Sequence, residues 1–264
     1  VYWERYLIGA GNTLIVAVTA TLVGCIIGLV CGILNTIPYS KKDNPVKKFF
    51  LKLIRIIVRI YVEVFRGTPM VLQAVFIYYG IPYFSGGAVA FSGNSGIWMA
   101  SLLVVSINTG AYMAESVRGG IISIDPGQTE GAKAIGMTHV QTMTSIILPQ
   151  AIRNIIPQIG NNFIINIKDT SVMFVIGFVE LFATHRNIVG LNNMYFQSAT
   201  IEMAAYLCMT LVASFLLRRL EKKLDAMVMR ELYTKYKTAP TEEEKERARK
   251  EYLDRRGVPE SFQW

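Results

Sequence analysis

Of the chain's 264 residues, 52% are apolar and only 17% are charged, against roughly a quarter charged in an ordinary globular domain; that balance excludes a disordered chain. The 27 Lys and Arg against 19 Asp and Glu give a net charge of +8, yet 13 of those bases and 10 of those acids follow Leu217. Residues 1–217 hold only 23 charges, with long uncharged runs between the cations, so no single solvated basic face for nucleic acid can form.

Residues 13–37 carry no charge over 25 positions, and about 20 apolar residues cross a bilayer core, which predicts a first span over about 12–37. The run is too long for a signal-peptide core, so it is expected to remain as a span in a chain trimmed or processed at Val1. Gly24, Gly28 and Gly32 recur every fourth residue and line one helix face with bare backbone, suited to close helix packing. Cys25, Cys31 and Cys208 sit in apolar stretches without C-x-x-C spacing, which points to small core residues and not to a disulfide framework or zinc site. From Lys52 the charges Arg55, Arg59, Glu63 and Arg66 follow at three- or four-residue intervals. That spacing predicts an amphipathic helix along the cytoplasmic interface, with Arg59 placed to pair with Glu63.

No charge appears between Arg66 and Glu115, and the turn-rich stretch 83–96 divides that interval into spans of about 62–82 and 97–117. A fourth span is expected over about 157–180, enclosing Lys168 and Asp169, and a fifth over about 200–217. Cytoplasmic loops retain the excess of Lys and Arg. Loop 38–66 holds eight, loop 118–158 three and the tail from Arg218 thirteen, while Arg5 and Arg186 fall on the other side. Twenty-four against two, with Lys168 unassigned, places the N-terminus outside and the C-terminus in the cytoplasm. The fold class expected is therefore an all-α membrane protein with about five transmembrane helices.

Catalytic constellations are absent from the sequence. His139 and His185 lie far apart, and neither H-E-x-x-H nor G-x-S-x-G occurs. Gly131 to Gly136 has the glycine spacing of a P-loop, but Met137 stands where the phosphate-binding Lys must be and no apolar strand precedes it. Any ATP is expected on another chain. In segment 123–158, Asp125 is placed to cap a helix with Pro126 in its first position, and Gly136 to supply a left-handed stop. Thr138 with Gln141 forms the capping box of a second helix, expected to close at Pro149. A loop of this length with two capped helices implies a cytoplasmic partner docked on it.

Charges at bilayer depth are costly and mark pathways or buried pairs. The candidates are Glu115, Lys168 and Asp169, with Asn108, Asn161, Asn162, Asn166, Thr170 and Ser171 as polar neighbours for a zwitterionic solute. The other assignment stays open, in which Lys168 pairs with Asp169 or Glu115 and pins two helices.

The pattern Glu130–Gly131–Ala132, Gly136, Ile146 and Leu148–Pro149 resembles the E-A-A loop of ABC-importer permeases, with glycine in place of the middle alanine. Further matches are Phe65–Arg66–Gly67–Thr68–Pro69, Gly110 to Glu115 followed by Arg118–Gly119–Gly120, Pro126–Gly127–Gln128, Leu148 to Arg153, and Lys168 to Ser171. In this order they resemble the polar-amino-acid class of type I importer permeases over about residues 9–224. The resemblance implies a type I ABC importer permease fold and a domain over 1–224 whose coupling loop is 123–150, followed by a charged cytoplasmic helical tail over 225–264. It implies as partners a cytoplasmic ABC ATPase dimer carrying ATP and Mg, a second permease copy or close homologue, and an extracytoplasmic solute-binding protein. The setting implied is a bacterial cytoplasmic membrane, with no cofactor and no metal site in this chain. Glu130, Gly131, Ala132, Gly136, Ile146, Leu148 and Pro149 would couple to the ATPase, and Asn108, Glu115, Asn162, Lys168, Asp169 and Ser171 would line the pathway. An ion-gradient-driven transporter or channel, and a non-transporting anchor or sensor, are the rival functions.

Overall fold

Backbone placed in hydrocarbon must satisfy its own N–H and C=O groups. The computed structural model, which describes residues 2–38 and 44–256, does so with helices, and no strand occurs among the described residues. Lys41 and Lys42 of the basic loop and residues 257–264 of the tail lie outside them. The elements are α1 (Trp3–Thr36), α2 (Pro45–Gly67), α3 (Met70–Val75), α4 (Ile81–Phe84), α5 (Gly93–Ile122), α6 (Pro126–Ala134), α7 (His139–Thr142), α8 (Leu148–Asp169), α9 (Leu181–Asn192), α10 (Tyr195–Thr238) and α11 (Glu242–Arg255).

Helices α1, α5 and α10 are long and apolar enough to cross a membrane; a further candidate is the run His139–Ile176 with α9, bent by 52°. The expected span 62–82 is not one helix. Pro69 drives the residue before it out of the helical region, and Thr68 is extended at φ −121° and ψ 147°. The chain restarts as the short apolar run Met70–Phe84. Gln73 spans the corner, its side-chain amide reaching the Phe65 and Thr68 carbonyls at 2.9 Å each.

Pro149 does not end a helix either. α7 passes through the π turn Met143–Ile147 into α8 without a break, because a widened turn ahead of a proline relieves the clash of its ring with the carbonyl four residues back. The same device precedes Pro82, where the π turn Phe76–Gly80 leads into α4. Arg59 and Glu63 form no ion pair; on the same helix Arg55 instead donates to the Ile37 carbonyl at the end of α1.

Within residues 1–213, α1 and α5 run side by side in the same direction. Gly24 faces Thr109, Gly28 faces Met113 and Gly32 faces Val117, and a Cβ added at Gly28 would lie 2.3 Å from that of Met113. Asn166 of α8 locks the pair, donating to Thr21 Oγ1 at 2.8 Å and accepting from Thr109 Oγ1 at 3.1 Å. Ala213 is the last α10 residue buried in this unit.

Residues 214–264 form a second compact unit. Its Leu232 and Ala248 are buried, and the Tyr233 and Tyr252 rings lie 5.7 Å apart. Thr241 caps α11 by accepting from the Glu244 N–H at 3.3 Å.

Candidate functional site

Segment 123–158 has the caps its sequence calls for. Asp125 accepts from the Gly127 N–H at 2.8 Å, and Pro126 opens α6. Gly136 turns left-handed at φ +81°. The Gly136 N–H donates to the Lys133 carbonyl and the Met137 N–H to the Ala132 carbonyl, both at 3.0 Å, a pairing that closes the helix end. Thr138 and Gln141 exchange both capping-box bonds at the start of α7. The elbow thus formed is exposed, with Ile135 and Val140 presenting uncovered apolar side chains on either side of Gly136. Those two apolar groups escape a sequence search, since nothing in their spacing separates them from core residues.

Seven residues were expected in this segment, and they divide by role. Glu130, Gly131, Gly136 and Pro149 face outward, while Ala132 is buried. Ile146 and Leu148 pack against a cluster of Met113, Val117, Ile121, Met143, Ile147, Ala151 and Ile155, which ties the elbow to α5. Burial lowers the His139 imidazole below its ordinary pKa, with Lys133 and Lys47 adding to the effect.

The polar residues expected in the interior do not converge on one point. Asn108 is buried and donates to Gln73 Oε1 at 3.0 Å and to the Phe65 carbonyl at 3.2 Å. Asn162 is buried against the Gln158 carbonyl at 2.9 Å and Met113 Sδ at 3.3 Å. Both are satisfied inside the chain. Glu115 is bound to Arg118 one turn on, with Nη2 2.8 Å and Nε 3.3 Å from its two oxygens. Lys168 is exposed, while Asp169 and Ser171 are half-buried. Neither the Lys168–Asp169 nor the Lys168–Glu115 ion pair forms. α5 and α8 run antiparallel, with Thr109 beside Asn166, Met113 beside Asn162 and Gly120 against Ile155, which carries Lys168 away from Glu115. Beside Glu115, the Arg66 guanidinium lies 5.5 Å from the centroid of the Tyr112 ring.

A buried polar cluster at the junction of α1, α9 and α10 has no counterpart among the expected residues. Glu180 is fully buried and accepts from the N–H groups of Phe182 at 2.8 Å and Ala183 at 2.7 Å and from the Tyr206 hydroxyl at 3.0 Å. His185 Nδ1 lies 2.8 Å from Ser198 Oγ and 3.7 Å from Glu202, and Tyr6 also bonds Ser198. The clue lay in Glu180 standing just before a helix, where a carboxylate caps the first N–H groups.

The sequence matches the family described as the inner membrane component of binding-protein-dependent transport systems over residues 46–226. It is 36% identical over 220 residues to the glutamine transport system permease protein GlnP of Escherichia coli (strain K12), covering 83% of this chain and 92% of that protein. To the probable amino-acid permease protein YxeN of Bacillus subtilis (strain 168) it is 32% identical over 223 residues, covering 84% and 96%. The fold superposes on the crystal structure of an amino acid ABC transporter with histidines at a TM-score of 0.71 and 34% identity, covering 84% of this chain and 95% of that one. An inward-facing structure of the MetNI methionine ABC transporter gives a TM-score of 0.64 at 16% identity, covering 84% and 97%, and shares the fold.

Proposed function

This chain belongs to the family of inner membrane components of binding-protein-dependent transport systems, and from that membership we propose that it carries polar amino acids inward, driven by ATP bound with Mg on a cytoplasmic ATPase dimer. It is a permease component of an amino-acid ABC transporter and has the fold of an ABC importer permease. Homologues are transport subunits, which are not themselves enzymes. In the proposed assembly the chain pairs with a second copy or close homologue in a bacterial cytoplasmic membrane, N-terminus outside and C-terminus in the cytoplasm. An extracytoplasmic solute-binding protein delivers the solute.

The observation that carries the coupling role is the exposed elbow of α6, Gly136 and α7, rooted in the α5 core. Glu130, Gly131 and Gly136, together with the apolar Ile135 and Val140, form the face seated on the ATPase. Ala132, Ile146 and Leu148 pass the displacement to α5, and Pro149 with its π turn sets the direction of α8. ATPase closure then rocks α5 and α8 as a body and alternates access to the pathway. Glu115, Lys168, Asp169 and Ser171 line that pathway, and Asn108 and Asn162 brace its walls from behind.

Reconstitution of this chain with its ATPase and receptor in proteoliposomes tests the proposal. Solute-loaded receptor is expected to stimulate ATP hydrolysis, and uptake is expected to persist when ion gradients are collapsed. Uptake that stops with the gradient, or hydrolysis indifferent to the receptor, would sink it.

A further inference from the structure

The end of α2 and the middle of α5 bring together four side chains that helix packing does not use. Arg66 lies in the last turn of α2. That turn is held against the middle of α5 by Tyr61, whose hydroxyl donates to the Ile107 carbonyl at 2.6 Å, and by the Asn108 bond to the Phe65 carbonyl. The Arg66 guanidinium therefore sits beside the central part of a helix long enough to cross a membrane. Tyr112, Glu115 and Arg118 follow at three-residue intervals on one stripe of α5, while Met113, Ala114, Val117 and Ile121 on the opposite stripe are buried. Tyr112 is 42% exposed and Arg66 is exposed, so the stripe opens away from the core.

Charge distinguishes the members of this group. Glu115 has a bidentate partner in Arg118, whereas Arg66 has no carboxylate within ion-pair distance among the described residues. A cation at membrane depth is costly unless it faces water or a counter-charge. A guanidinium braced by an aromatic face keeps its planar fork free for a carboxylate. We propose that Arg66, held over Tyr112, receives the α-carboxylate of the transported amino acid, with Glu115 facing its ammonium group. The inference rests on the transport function proposed above and adds which residues of this chain read the carboxylate and the ammonium group of the solute.

The test uses the assembled permease–ATPase complex in detergent without the receptor, so that receptor selectivity does not enter. Equilibrium binding is measured for L-glutamine, L-histidine and L-arginine and for the α-amide of each. The best-bound amino acid is expected to bind roughly tenfold or more tighter than its α-amide, the scale of a charge-assisted hydrogen bond. Arg66→Gln should bring that ratio to about one, and Arg66→Lys, which keeps the charge but loses the planar fork over Tyr112, should keep only part of it. Equal binding of acid and amide by the unaltered complex, or no binding at all, would overturn the assignment without any variant. So would an Arg66→Gln complex that retains the preference, or one whose only defect is failure of the permeases to pair. A transporter that takes up no amino acid with its receptor present would instead strike the transport function, so the two failures are separable.

Discussion

At Gly28 the α1–α5 contact leaves no room for a side chain. An added Cβ would meet Met113 Cβ at 2.3 Å and the Met113 backbone carbon at 2.8 Å, and neither can swing aside. Gly28→Val is therefore expected to destabilise the permease by about 1–3 kcal/mol through overpacking. Gly11→Ala, on the same helix but with nothing within 4 Å, should not destabilise it and should gain up to about 1 kcal/mol from helix propensity; thermal unfolding of the purified protein compares the two. Equal melting of both variants would mean that the glycine ridge is not what holds α1 to α5. This ridge is legible in the sequence because a small residue every fourth position is itself the packing signal. Polar residues are less legible, since a sequence identifies them without identifying their partners. Glu115 bonds Arg118 and not Lys168, and Asn108 bonds a glutamine from beyond the Pro69 corner, because those choices follow from which helices lie side by side.

Proline and glycine act differently at the scale of elements. Pro82 and Pro149 each follow a π turn that lets the helix continue, so a stop read from the residue alone fails at both. Pro69 does break its helix, as a residue that excludes its predecessor from the helical region should. Gly136 shows the clearest agreement of sequence with structure: its left-handed φ of +81° has no steric neighbour within 4 Å, so the backbone alone demands glycine. Gly136→Val is expected to cost the elbow about 1–2 kcal/mol in backbone strain and to loosen ATPase binding, read as reduced co-purification and uptake. Gly131 is helical with open space around it. Alanine is what the resembled docking pattern carries at this place, so Gly131→Ala should keep the docking face and firm α6 by about 1 kcal/mol. If Gly136→Val couples as well as Gly131→Ala does, the elbow is not the docking element.

For the whole molecule, the sequence counts 24 Lys and Arg on the cytoplasmic side against two on the other; the structure takes Arg66 out of that count by setting it beside the middle of α5, and the remaining excess still fixes the orientation expected, provided the broken second span crosses. Met70–Phe84 has only 15 residues, about 22 Å of helix, which is short of a roughly 30 Å hydrocarbon core. The chain reaches the far side at residues 85–92 only if the end of α2 and this short run cross together, with Gln73 satisfying the carbonyls that the corner exposes. The sequence hid the corner because no charge marks it, and hydropathy counts residues without registering a change of direction. Single cysteines at Ser92, Gln197 and Thr138, in a background lacking Cys25, Cys31 and Cys208, separate the possibilities in intact cells. Ser92→Cys and Gln197→Cys are expected to react with an impermeant thiol reagent from outside, and Thr138→Cys only after permeabilisation. Protection of Ser92→Cys alone would show that the broken helix turns back within the membrane, while labelling of Thr138→Cys alone would invert the whole bundle and place the elbow where no ATPase can reach it.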